Sequence, residues 1–140
     1  MPYKNKFIPK NKTKYIGDSL NIRCRSLWER RFCNYLDSNS KITRWGFECV
    51  KIPYYSPIDN KYHDYIPDFI FETKDNNDKK NITVVEIKPL KQTIDPSQRK
   101  RIKLEETITY TVNQAKWQSA KEYCEANGWD FKIITERELF

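Results

Sequence analysis

No apolar run in this chain approaches the roughly 20 residues that cross a bilayer, so no spanning helix is expected and no membrane partner. The N-terminus is basic but lacks an apolar segment, so it does not read as a secretory signal. Asn81-Ile82-Thr83 has the form of a glycosylation sequon, which means nothing without secretion. The four cysteines, Cys24, Cys33, Cys49 and Cys124, form no CxxC pair, and His63 is the sole histidine. That excludes a zinc cluster and leaves reduced, mostly core-filling thiols in a cytosolic setting. There is no internal repeat, and no motif of the common RNA-binding modules, which sets aside a generic RNA-binding role.

What is present is charge, unevenly placed. The net charge is +7 and 32% of residues are charged, yet 14% are aromatic, enough for a modest core in 140 residues. Residues 1–31 hold nine Lys and Arg against Asp18 and Glu29, while the remainder carries seventeen of each sign. A second basic run, Lys88 to Lys103, includes Lys91, Arg99, Lys100, Arg101 and Lys103, with Gln92 among them, against Asp95 alone. Two separate basic runs point to a polyanionic partner, most simply nucleic acid.

Residues 1–25 show no sustained period and read as a basic arm with Tyr3, Phe7, Ile8 and Tyr15 interleaved. Such an arm can track phosphates, pack locally, or order on a partner. Residues 26–140 read as the folded domain. Ser26 to Ser38 has helical spacing of Leu27, Trp28, Phe32, Tyr35 and Leu36. Ser26 and Glu29 form the S-x-x-E capping box, so Glu29 is either a cap acceptor or an acid presented by the first helical turn. Lys41 to Tyr55 reads as a strand that Pro53 ends, followed by a turn at Ser56 to Asn60. Thr109 to Asn127 reads as a second helix closed by Gly128, and Trp129 to Thr135 as a final strand. A strand–helix–strand connection implies parallel pairing. The long polar stretch from Lys91 to Glu106 reads as a loop that would clamp a strand of DNA.

The organising stretch is Tyr62 to Lys88. Phe69-Ile70-Phe71, a polar turn, and Ile82-Thr83-Val84-Val85 read as a hairpin bounded by Pro67-Asp68 and Glu86-Ile87-Lys88. Alternation puts Glu86 and Lys88 on one face and Val85 and Ile87 on the other. If the strands pair, Asp68 comes beside Glu86, two carboxylates that a divalent cation relieves of mutual repulsion. Lys88 then orients a water or neutralises charge on a phosphate. His63 is more often structural than functional, and Asn113 and Lys116, one turn apart, either face a phosphate or sit in solvent.

Pro67-Asp68 with Glu86-x-Lys88 resembles the PD-(D/E)xK nuclease superfamily. The series Ser26-Leu27-Trp28-Glu29, Ile52-Pro53-Tyr54, His63-x-Tyr65-x-Pro67-Asp68-Phe69, Glu86-Ile87-Lys88-Pro89 and Asn113-x-x-Lys116-Trp117 is similar to the TnsA-type endonuclease domain. With Lys4 to Tyr15 and Ile134 to Leu139, the whole chain resembles the small head-completion proteins of large contractile-tailed phages. The resemblance implies an α/β, restriction-endonuclease-like fold: a small mixed sheet flanked by helices in the order α-β-β-β-α-β. It implies a DNA endonuclease using magnesium (or manganese), held by Glu29, Asp68, Glu86 and the Ile87 carbonyl, with Lys88 catalytic. His63, Asn113 and Lys116 join the basic loop as DNA contacts. It also implies portal or neck proteins as partners, a homodimer if both strands are cut together, and a place in the host cytoplasm or the virion head.

Overall fold

The computed structural model describes residues 5–98 and 100–139. Arg99, one of the expected DNA contacts, and Lys4 lie outside the described residues. The first segment is packed onto the fold. Strands β1 (Asn5–Lys6) and β2 (Arg23–Cys24) pair antiparallel. Phe7, Ile22 and Cys24 between and beside them are buried. Phe7 and Tyr15 meet the fully buried Trp45 edge-on, at 5.9 and 4.7 Å between ring centroids. Its charges are partly structural too. The Lys14 ammonium donates to the carbonyls of Leu36, Asp37 and Asn39, where a helix ends and its dipole is negative. An ordering partner is therefore not needed for residues 5–25: aromatic burial on Trp45 holds them.

Helix α1 (Leu27–Ser38) turns Phe32, Cys33 and Leu36 inward, and Ser26 caps it by accepting the Glu29 N–H. β3 (Ile42–Phe47) and β4 (Ile52–Ser56) replace the single strand expected over Lys41 to Tyr55. The break has a backbone cause. Glu48 adopts φ +53°, outside extended space, and its N–H donates to the Asp68 carbonyl, so the chain turns out of the sheet. β4 then pairs antiparallel with β5 (Lys61–Tyr65) as a separate hairpin. β6 (Phe69–Lys74) and β7 (Lys80–Ile87) form the expected hairpin, with Phe69 opposite Val85. Helix α2 (Leu104–Asn127) begins five residues before the expected Thr109, and the Lys91 to Glu106 connection carries two short 3-10 turns, Leu90–Thr93 and Pro96–Gln98. Gly128 at φ +73° closes α2 as expected. β8 (Asp130–Ile134) follows and pairs parallel with β7. A last turn, α3 (Glu136–Leu139), was not anticipated. Its signal was Thr135-x-x-Glu138, a capping box whose carboxylate accepts from the Thr135 N–H at 2.7 Å.

The main sheet has the order β3-β6-β7-β8. With α1 and α2, its elements follow the expected α-β-β-β-α-β sequence. Alternation divides the core. Phe69, Val85 and Ile87 pack with Phe32, Cys33 and Leu36 of α1, while Ile70 and Val84 pack with Cys124 of α2. The β4–β5 hairpin packs on α2 through Ile52, Tyr54, Tyr65, Trp117 and Ala120. Cys24, Cys33 and Cys124 are buried free thiols, and Cys49 is exposed. Among the described residues no helix is long and apolar enough to cross a membrane.

Candidate active site

Asp68 immediately precedes β6 and Glu86 lies near the end of β7. The register that sets Phe69 opposite Val85 carries Asp68 opposite Glu86. The Asp68 carboxylate accepts the Ile87 N–H at 2.8 Å, and the Asp68 carbonyl accepts from Glu48, so both ends of the residue are fixed. Pro67 is buried and offers no N–H, which lets the chain leave the β4–β5 hairpin and enter β6 without an orphan donor. Glu86 is buried at 6% exposure, and the Lys88 ammonium stands 3.9 Å from its carboxylate. Lys88 itself is fixed by its N–H donating to Ile134 at 3.0 Å.

Burial, and then the charge of Glu86, pushes the Asp68 carboxyl up to about 8. Burial also raises Glu86, while Lys88 pulls it back. The two carboxyls therefore resist carrying two negative charges together. One ammonium at 3.9 Å is their nearest compensation, and a hard dication would supply the rest. Among the described residues no three His, Cys, Asp or Glu side chains gather to cage an ion by themselves. The donor set fits magnesium, which binds through one or two carboxylates and completes its shell with waters and substrate oxygens.

Glu29 approaches from α1. Burial raises its carboxyl, and the Asp68 charge raises it further. Its Oε1 accepts the Arg25 N–H at 2.8 Å, one residue beyond the usual partner of a capping box. Arg25 pairs with Glu48 at 2.9 Å and also feels Asp68. A groove lined by Arg25, Leu27, Trp28, Glu29, Ile87 and Pro89 leads along this side.

The expected DNA contacts fall in three places. Asn113 is buried, and its Nδ2 has no partner among the described residues. Lys116 lies 5.8 Å from the ring centroids of both Tyr54 and Tyr65. His63 lies on β5, where its Nε2 meets Asp59 at 2.7 Å and its ring tilts against Tyr54. Lys91 and Gln92 are exposed and line a groove against Glu105, Glu106 and Tyr110 at the start of α2. Lys100, Arg101 and Lys103 are exposed before α2.

Tyr65 and Trp117 were not among the expected site residues. Both are buried, and neither the Tyr65 hydroxyl nor the Trp117 indole N–H makes a hydrogen bond within 3.5 Å among the described residues, although Glu86 and Trp117 lie near enough to bias the phenol. Burial raises Tyr65 far above the ordinary phenol range, and the charges of Glu86 and Asp68 add to it. The signal was Trp117, one turn beyond Asn113 on the same face of α2.

Residues 39–136 match the family described as TnsA-like endonuclease N terminal, a segment that holds Asp68, Glu86 and Lys88 and begins after Glu29. The chain is 37% identical over 147 aligned positions to the head completion nuclease of Enterobacteria phage T4, covering 99% of this chain and 95% of that protein. No solved structure gives a significant match.

Proposed function

Since this chain belongs to the TnsA-like endonuclease family, we propose that it is a metal-dependent DNA endonuclease that acts on DNA ends or branched DNA during phage head completion. The observation that carries this reading is the buried carboxylate pair, Asp68 and Glu86, with one ammonium at 3.9 Å and charge left to neutralise.

Asp68, Glu86 and the Ile87 carbonyl would hold magnesium (or manganese), while Glu29, which does not gather with them as a third ligand, would act on the site from α1 through its charge. When bound, the ion supplies Lewis-acid polarisation of the scissile phosphate. Lys88 orients the attacking water and neutralises charge developing on the phosphate, the kind of pre-aimed electrostatic help that contributes most to catalysis. Two features support this role, the backbone bond from Lys88 to Ile134 and the same-face alternation with Glu86. Lys116 contacts a neighbouring phosphate, and Asn113 supplies the amide hydrogens left unpartnered. Lys91, Gln92, Lys100, Arg101 and Lys103, with Arg99, give backbone affinity that weakens steeply with salt. His63 extends that contact along the hairpin. No base-reading motif accompanies them, so sequence specificity is weak.

A second reading is a structural head-completion factor that binds a DNA end and docks on a portal or neck protein. Exposed Leu27, Leu104 and Ile8, each above 60% exposure, favour such docking. It leaves unexplained why two destabilising carboxylates are buried together. Incubating linear, nicked and branched DNA with the protein separates the two, with magnesium or with chelator, and with Lys88→Ala alongside. Magnesium-dependent cleavage lost in Lys88→Ala supports the enzyme. DNA binding without cleavage in any metal supports the structural factor.

A further inference from the structure

One surface beside α2 has no role in the chemistry above. A groove runs between the β4–β5 hairpin and α2, lined by Tyr54, Tyr55, Tyr62 and Tyr123 with Ser119 and Glu122. Tyr55 and Tyr62 face each other across the hairpin, edge-on at 5.2 Å, and Tyr62 is 75% exposed. Four aromatic rings at one groove, two of them left in water, mark a surface built to be covered.

The chemistry of the groove selects its occupant. Tyrosine faces stack on flat rings. Glu122 repels a phosphate but accepts from an amine; one of its oxygens already takes the Gln118 amide at 3.1 Å, leaving the other available. A nucleobase has both features, a π-face and amine or imino hydrogens on its edge. Its phosphate has a place as well. Lys116 lies one turn before Ser119 and Ala120 on α2, over the rings of Tyr54 and Tyr65, between the groove and the acid pair. Tyr65 feels the charge of both acids, and Tyr54, on the same face of the hairpin, sits two residues along from Ile52, the cross-strand partner of Tyr65, about 7 Å away. That is a span of one or two nucleotides.

We propose that this groove stacks an unpaired nucleobase of the substrate, so that the preferred DNA carries a single-stranded segment next to the scissile phosphate. In a duplex both faces of every base are covered by neighbours; only an unpaired or extruded base can enter. This deepens the nuclease reading and rests on it for the phosphate at the acid pair.

The test is binding by the full chain in chelator, read by fluorescence anisotropy, with labelled single-stranded DNA, blunt duplex, and duplex bearing a single-stranded overhang. Wild type should prefer the single-stranded and overhang DNA. Replacing both rings, Tyr55→Ala with Tyr62→Ala, should weaken those two by about 10-fold or more and leave blunt duplex within about twofold. The ring-preserving pair, Tyr55→Phe with Tyr62→Phe, should bind as wild type does. Equal losses on all three DNAs, or none on any, would overturn the proposal; the second outcome would turn the groove over to a protein partner. Cleavage of supercoiled plasmid by the alanine pair in magnesium keeps the two ideas apart. Retained plasmid cutting with lost overhang binding supports the groove, whereas a wild type that never cuts removes the nuclease reading and leaves base stacking to be judged on binding alone.

Discussion

Asp68 accepts the backbone N–H of Ile87 at 2.8 Å, and through that bond two separate strand ends share one address. It fixes the carboxylate opposite Glu86. It also makes the pair costly, because the same register that aligns the two carboxylates buries both charges. The pair is thus held together at a cost to the fold.

That cost should be visible in the pH dependence of stability. An acid with a raised folded pKa binds its proton more tightly when folded, so stability is lost as pH rises between the ordinary carboxyl value, 3.8, and about 8. In chelator, the melting temperature should fall by several degrees from about pH 5 to about pH 8. Asp68→Asn, which leaves no second charge to confine, should flatten that slope and match or exceed wild-type stability at the alkaline end. A slope unchanged in the variant would mean that the pair is not the source.

Magnesium should reverse the loss. Near pH 8, at roughly 100 times its dissociation constant, an ion that binds only the folded state adds about 2.7 kcal/mol, which raises the melting temperature by several degrees. Asp68→Asn and Glu86→Gln should each lose most of this gain in differential scanning fluorimetry, while Lys116→Ala keeps it.

Glu29 has two tasks that substitution can separate. Glu29→Gln retains an oxygen for the Arg25 N–H, so stability should change by less than about 0.5 kcal/mol. Cleavage should fall about tenfold or more if the charge serves the ion. Ser26→Ala is the complement: it should cost about 1 kcal/mol of stability and leave the rate per folded molecule nearly unchanged. Denaturant melts beside cleavage rates measure both.

The N-terminal segment should behave as core. Phe7 is 3% exposed against Trp45, so Phe7→Ala should destabilise by about 3–5 kcal/mol in urea unfolding. A change below about 1 kcal/mol would return residues 5–25 to the status of a loosely attached arm.

The site's core was legible because its signal is short-range. Asp68 precedes one strand, Glu86 and Lys88 end the next, and a hairpin with a polar turn brings them together by alternation alone. The α1 cap and the Gly128 stop were legible for the same reason. What escaped depends on partners far apart in the chain. Phe7 and Tyr15 look like arm residues until Trp45 buries them. The strand break at Glu48 depends on a bond to Asp68 twenty positions away, and the residue that turns is not itself a glycine. Tyr65 reads as one more aromatic in a tyrosine-rich stretch, and only α2, which brings Trp117 over it, sets it against the acids. The early start of α2 at Leu104 was hidden by a polar first turn with Lys103 rather than a capping side chain ahead of it.

The most direct measurement is the cleavage rate of Asp68→Ala against wild type, on overhang-bearing DNA in magnesium, with binding recorded in parallel. Wild type should cut in magnesium and not in chelator, and the variant should bind that DNA within a few-fold of wild type yet fail to cut it. An Asp68→Ala protein that cuts at the wild-type rate would contradict a carboxylate pair at the centre of the chemistry.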